Sequence, residues 1–183
     1  RGQWRGVDEA RAVVGGPMHV LGLTPGYAPA IARYAEAKCL VGGTTTSQGI
    51  SLVSNQGINK YFRGVVRNVE HGGNPLLPAA GTRVEDPADG EAQAILDMLE
   101  DRRSPYLIHL AEGITDTPRR RFAALRIEGD RWAINRWFAA IHGTALRAED
   151  FAVLGAHQGS LVWSPLSNLL LYGETTNVRA AAE

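Results

Sequence analysis

The sequence predicts an α/β fold built on a parallel sheet, on two observations. Short apolar runs recur at 105–110, 138–142 and 161–163, and helical patterns lie between them. A strand that returns to its sheet through a helix runs parallel to its predecessor. About five strands are legible in this way, and no repeat or low-complexity tract interrupts them.

The elements follow in chain order. Residues 17–23 are apolar but too short to assign, and Thr24-Pro25-Gly26 is a turn signal. In 27–38, Ile31, Tyr34 and Ala35 recur at i, i+3 and i+4, the spacing of a helix. Residues 39–46 end in three β-branched threonines and read as a strand. A second strand is expected at 61–69, with Val65, Val66 and Val69, and a long Gly-, Pro- and Ala-rich loop at 72–90. The clearest helix is 89–103, with Asp89 as N-cap and Ala92, Ile95, Leu96 and Leu99 on one face. Arg102 and Arg103 close it, where the helix dipole favours cations.

The run 105–110 has the pattern of a buried strand. Thr117-Pro118 opens a helix with Pro at its first position and Phe122 and Leu125 inward. Trp132 and Trp137 fall in a helix-like stretch and suit a core or an interface. The strand 138–142 follows, then a helix at 149–158 with Phe151 and Leu154 inward and Gly159 as its stop. The last strand, 161–163, runs into a turn at Ser164-Pro165-Leu166-Ser167-Asn168.

Composition excludes several classes. The 183 residues are 44% hydrophobic and 21% charged, as in ordinary globular domains. Apolar runs of about 20 residues are absent, so no membrane span is expected. Lys+Arg and Asp+Glu are both 19, which gives no electrostatic case for nucleic acid or an anionic membrane. The lone Cys39 excludes an internal disulfide and fits a reducing, cytoplasmic compartment. Residues 1–6 carry no secretory signal. Arg1 at one end and the helix-prone Ala180-Ala181-Ala182-Glu183 at the other suggest a piece of a longer protein.

Two histidines sit at strand ends, His109 in Ile108-His109-Leu110-Ala111-Glu112 and His142 in Ala140-Ile141-His142-Gly143. Parallel neighbours lie about 4.8 Å apart, so adjacent strand ends would place both rings in one crevice. Imidazole is a metal ligand or a general base, and Glu112 lies three residues past His109. A carboxylate beside a metal-bound water is the usual proton carrier in hydrolysis. The competing reading, two hydrogen-bonded core histidines, has about equal weight on spacing alone. Elsewhere, Thr44, Thr45, Thr46 and Gln48 can reach substrate, though strand propensity explains the threonines. Arg119-Arg120-Arg121 reads as a solvated helix face, and His157 as a residue at a helix C-terminus with no catalytic role. Gly42-Gly43 permits close packing and is no phosphate loop.

The segments LIHLAEG (107–113), AIHGTAL (140–146), VWSPLSNLLLYG (162–173) and CLVGGTTTSQGIS (39–51) resemble the metal-dependent amidohydrolases. The likeness covers about 26–178 and is nearest in pattern to the cytosine deaminase, guanine deaminase, triazine chlorohydrolase and methylthioadenosine deaminase group. The resemblance implies a partial TIM (β/α)8 barrel over the whole of 1–183, about strands two to seven, with the first and last strands missing. It implies a hydrolase acting on C–N bonds of a small polar or heterocyclic substrate. One divalent metal, zinc or iron, would be its cofactor. His109 would be a metal ligand, Glu112 the acid and base, and His142 the residue that orients the hydroxide or stabilises developing charge. Ser167 and Asn168 would line the substrate pocket; a structural turn capped by Asn168 is the other reading. Residues 65–69 hold no lysine, which favours a mononuclear site. The partners implied are a small-molecule substrate, with no nucleic acid or membrane, and the resemblance leaves a homo-oligomeric parent enzyme open.

Two parts of the family pattern are absent: the first-strand His-x-His, since His19 and His71 are isolated, and the eighth-strand aspartate. One ligand cannot hold zinc tightly, because catalytic sites use about three. A non-catalytic barrel-derived scaffold is the rival reading, and an unrelated doubly wound binding domain the third. In isolation the chain is expected neither to close a barrel nor to catalyse, and its open sheet edges to promote aggregation. Size-exclusion chromatography tests this: a monodisperse, active 183-residue protein would contradict it.

Overall fold

The computed structural model describes residues 26–49, 64–70 and 75–183. The expectations for 17–25, 61–63 and 71–74, with His19 and His71, lie outside the described residues. The chain divides into two compact units, one holding Gly81–Glu183 and the other Ala12–Ala80. Among the described residues no helix is long and apolar enough to cross a membrane.

The first described element of the smaller unit is helix α1, Tyr27–Val41. Cys39, Leu40 and Val41, expected as strand, form its last turn. The helix stops where the N–H of Gly42 donates to the Lys38 carbonyl at 3.0 Å and Gly43 turns left-handed at φ 76°. The glycine pair is thus a helix stop, and the strand starts only at Thr46. Strand β1, Thr46–Ser47, pairs in parallel with β2, Arg67–Asn68, the described core of the strand expected at 61–69. Ala32 and Glu36 form the buried face of α1, while Ile31 and Tyr34 are exposed. The Glu36 carboxylate is satisfied there by the Val65 N–H at 2.9 Å.

The larger unit carries the sheet. Its elements are β3 (Gly81–Arg83), α2 (Ala92–Arg102), β4 (Tyr106–Leu110), α3 (Asp116–Ala123), β5 (Arg126–Glu128), β6 (Arg131–Trp132), β7 (Phe138–His142), α4 (Ala148–Ala156), β8 (Ser160–Val162), α5 (Pro165–Tyr172) and α6 (Val178–Ala181). Strands β3, β4, β7 and β8 form one sheet in that order, and every pairing is parallel. The α/β class read from the sequence is therefore the observed one. Spatial order follows chain order, without the reversal that a doubly wound sheet needs.

Burial alternates along β4: Tyr106, Ile108 and Leu110 are buried, while Leu107 and His109 are half-buried. The buried set joins Phe138 and Ala140 of β7 with Ile95 and Leu99 of α2, Phe122 of α3, and Phe151 and Leu154 of α4 in one cluster. All three crossover helices thus pack on one face of the sheet. The other face is left for polar groups at its carboxyl end.

Several local expectations change. Strand β3 lies inside the stretch read as a long loop; Gly81 approaches Tyr106 too closely for an apolar side chain to mark the strand. Asp89 is exposed and does not cap α2; Glu91 precedes the helix, its carboxylate accepting from the Ala88 N–H at 2.8 Å. Pro118 is the third residue of α3, not the first, and Leu125 is buried just past its end. The stretch holding Trp132 is the antiparallel hairpin β5–β6, because Glu128-Gly129-Asp130 supplies a turn with Gly129 at φ 56°. Arg119 is no solvated charge: its guanidinium forks onto Asp150 at 2.6 and 3.0 Å and reaches Glu149 at 2.7 Å, tying α3 to α4. The 164–168 turn is the start of helix α5, with Pro165 at its first position.

The end of α4 is a Schellman closure. Gln158 donates to the Gly155 carbonyl at 2.9 Å and Gly159 to the Leu154 carbonyl at 2.8 Å. The left-handed residue is Gln158, at φ 60°, not the glycine. Gly159 serves packing instead: an added Cβ would lie 2.6 Å from Leu154 Cδ1 and 2.8 Å from Ile134 Cγ2. Gly159→Ala should lower stability by about 1–3 kcal/mol through overpacking. Gln158→Gly should raise it by about 1 kcal/mol by removing a left-handed penalty. Urea unfolding midpoints of the two variants check both signs.

Candidate active site

Strands β4 and β7 pair with His109 opposite Ile141 and Leu110 opposite His142. In an ideal sheet this puts the two histidines on opposite faces, because side chains alternate. His109 shares the face of Leu107, away from the core cluster. His142 escapes the alternation because its backbone is left-handed, at φ 73°. The Gly143 N–H donates to the Ile141 carbonyl at 3.2 Å, closing a three-residue γ-turn about His142. The two rings then lie with centroids 5.3 Å apart.

Glu112 arrives by the same device at the end of β4. Ala111 is left-handed at φ 51°, and Glu112 is buried two residues beyond the strand. The Ala111 N–H donates to Asp86 Oδ1 at 3.0 Å, and its carbonyl accepts from the Ala145 N–H at 3.0 Å. Non-glycine residues in this region are costly and cluster at functional sites. Here two of them stand at neighbouring strand ends.

The hydrogen bonds assign the imidazole protons. His109 Nδ1 lies 3.1 Å from the Arg83 carbonyl, which only accepts, so Nδ1 carries hydrogen and Nε2 is left with its lone pair. His142 is fixed by a closed ring. The Thr176 hydroxyl donates to the His142 carbonyl, so it accepts from Asn168 Nδ2 at 3.1 Å. Asn168 therefore turns Oδ1 toward His142 Nδ1, 2.8 Å away, and Nδ1 is the donor. His142 Nε2 faces Glu112 Oε1 at 3.5 Å, and Tyr172 O–H donates to that same oxygen at 2.9 Å.

Burial pushes the His142 imidazole below its ordinary pKa, and His109 adds to this. The Glu112 carboxylate and the bond to Asn168 pull the other way but do not prevail. In the neutral imidazole with hydrogen on Nδ1, Nε2 turns a lone pair toward Glu112 Oε1. Such an arrangement suits a bound water or a proton in transit.

The structure brings together three of the residues singled out in the sequence: His109, Glu112 and His142. Asn168 joins them through His142, with its amide fully buried and occupied. Ser167 is half-buried on α5 and takes no part in this ring. Thr44, Thr45 and Thr46 are exposed in the other unit. Tyr172, Thr176 and Asp86 were not singled out in the sequence. Asn168 and Tyr172 stand four apart among leucines, a polar stripe that becomes readable once the segment is taken as helix. Thr144 Oγ1, two residues past His142, is buried and unpartnered among the described residues. A cavity of about 450 Å³ at the opposite end of the sheet, lined by Arg103, Trp137 and His157, contains none of these groups.

Among the described residues no group of three or more His, Cys, Asp or Glu side chains is arranged to hold a metal ion. His109 has the preparation of a ligand, with Nδ1 anchored on a carbonyl and its lone pair on Nε2. The described residues therefore do not make a catalytic zinc site on their own. The chemistry they can perform is proton transfer and the orientation of a water.

The depressed His142 pKa fixes a pH dependence. Below the unfolded value, about 6.5, the unfolded chain binds the proton more readily than the folded one. Stability should rise with pH through the window beneath about 6.5 and be lost on acidification across it. Urea midpoints between about pH 7 and 5 should fall less steeply in His142→Gln than in the parent protein; equal slopes would remove His142 as the cause.

Compared with protein-family models, curated proteins and solved structures, the chain gives no match to any of the three.

Proposed function

We propose that this chain carries the proton-transfer part of an amidohydrolase-type site, in a partial (β/α)8 barrel, hydrolysing a C–N bond of a small polar or heterocyclic molecule. The observation that carries the reading is the convergence of Glu112 and His142 at the carboxyl ends of adjacent parallel strands, beside His109. That end of a parallel barrel is where enzymes place chemistry. The sequential strand order and the one-sided helices support an arc of such a barrel.

In this reading Glu112 takes a proton from the attacking water and returns it to the leaving nitrogen. The water oxygen bonds to carbon and the C–N bond breaks, so the proton balance closes on one carboxylate. His142, with its proton on Nδ1, accepts through Nε2 and orients the water. Stabilising developing charge, the other role its position suggests, requires that Nε2 first take up a proton. A divalent metal, zinc or iron, would supply an activated water, and His109 Nε2 is the ligand that the described residues offer it. The remaining ligands have to come from outside the described residues.

The test is turnover in protein with its ligand set complete, assayed as ammonia release from aminopyrimidine, aminopurine and aminotriazine substrates. Glu112→Gln should retain bound metal and lose about 10²–10⁴ in turnover. His109→Asn should lose the metal itself, read by elemental analysis. Unchanged turnover in Glu112→Gln would sink the assigned role.

A further inference from the structure

Helix α5 is built inside out. Leu166, Leu169 and Leu170 are 71%, 50% and 67% exposed, while Asn168 and Tyr172 are 0% and 3% exposed. A surface helix ordinarily turns its leucines inward and its amides to water. Here the buried stripe is polar, and both of its members end on the proposed catalytic pair. Asn168 holds His142 Nδ1 at 2.8 Å, and Tyr172, one turn later, holds Glu112 Oε1 at 2.9 Å.

We infer that Asn168, Thr176 and Tyr172 are positioning residues, and that α5 with the segment after it sets where the protons of the Glu112–His142 pair lie. The argument is one of donors and acceptors. The Thr176 hydroxyl has one hydrogen, spent on the His142 carbonyl. It can meet Asn168 only as an acceptor, so the amide nitrogen faces it and the amide oxygen faces His142. Reversing any member leaves two donors or two acceptors opposed in a buried space. The ring therefore has one direction, and in the neutral imidazole that direction puts the proton on Nδ1 and leaves Nε2 as the lone-pair nitrogen toward Glu112. Tyr172 spends its hydrogen on Glu112 Oε1, the oxygen that His142 Nε2 approaches at 3.5 Å. Asn168 thereby gives up the substrate contact its sequence motif suggested: each polar atom of its amide has a protein partner.

The catalytic meaning of this arrangement rests on the function proposed above, but its test does not. The experiment is ¹⁵N NMR of the imidazole nitrogens in histidine-labelled protein of the full chain, with His142→Gln used to assign the His142 signals. In the parent protein His142 should be the Nδ1–H tautomer. Thr176→Ser keeps the hydroxyl and should leave it so. Asn168→Leu removes the acceptor, and Thr176→Val frees the amide to turn. Both should move the proton to Nε2, where Glu112 accepts it. Tyr172→Phe should leave the His142 tautomer unchanged and shift the Glu112 carboxyl ¹³C signal. An Nε2–H tautomer in the parent protein would overturn the inference even if no variant folded. So would an unmoved tautomer in folded Asn168→Leu and Thr176→Val. Loss of turnover in Glu112→Gln bears only on the function, so the two readings fail separately. Where a serine-protease histidine is held in the wrong tautomer, turnover falls about 10⁴-fold; a comparable loss is expected for Asn168→Leu in active protein.

Discussion

Parallel pairing of β4 with β7 puts His109 and His142 one register step apart, on opposite faces of an ideal sheet. Everything at the site depends on how the chain undoes that alternation. A strand longer by one residue would return the ring to the right face but move it about 3.3 Å along the sheet, away from His109. The left-handed turn at His142 rotates the ring without advancing it. The same solution at Ala111 brings Glu112 to the edge of the same space. Two backbone irregularities, not a special pair of side chains, thus distinguish these strand ends from an ordinary buried sheet.

The sheet divides its labour by face. One side of β4 and β7 is buried against α2, α3 and α4, and the apolar area there is what holds the unit together. On the other side, β4 is half-buried and carries His109. This separation lets the polar groups be arranged for geometry. Helix α5 shows the consequence, since its inward contacts are an amide and a phenol and its leucines face outward. A buried amide destabilises unless its hydrogen bonds are made, and Asn168 makes bonds from both ends of its own.

The parts of this fold legible in the sequence are those where one physical signal dominated. Phe138–His142 is legible to the residue because an apolar run ends at glycine. The helix of Ile95 and Leu99 was found from its period. Where two signals overlap, the stronger local one hides the other. Cys39-Leu40-Val41 is apolar enough for a strand, yet it continues a helix whose stop is the following glycine pair. The short strand Gly81–Arg83 has no apolar pattern, since its place is set by pairing with Tyr106–Ile108. At the site, His109, Glu112 and His142 were visible as residue types at strand ends. Asn168 is visible too, but the sequence leaves it between a pocket residue, as the resemblance implies, and a structural cap; the helix that turns it inward is hidden behind Ser164-Pro165, which reads as a turn. Tyr172 and Thr176 were out of reach: their importance lies in where their hydrogens go, which depends on contacts 60 and 34 residues away in sequence.

The strain at the two strand ends and the bonds around them belong to one balance. A left-handed Ala111 and a left-handed His142 each cost about 1–3 kcal/mol. Against this stand four hydrogen bonds made by the same backbone: Ala111 N–H to Asp86, Ala145 N–H to the Ala111 carbonyl, Gly143 N–H to the Leu110 carbonyl, and the Thr176 hydroxyl to the His142 carbonyl. At about 0.5–1.5 kcal/mol each they offset the same few kcal/mol. Each of the four has at least one partner outside β4 and β7. The conformation that presents the site is therefore held from outside the strands, by the loop after β3, the turn after β7 and the segment after α5. That is why the site residues alone, placed on any parallel sheet, would not reproduce it.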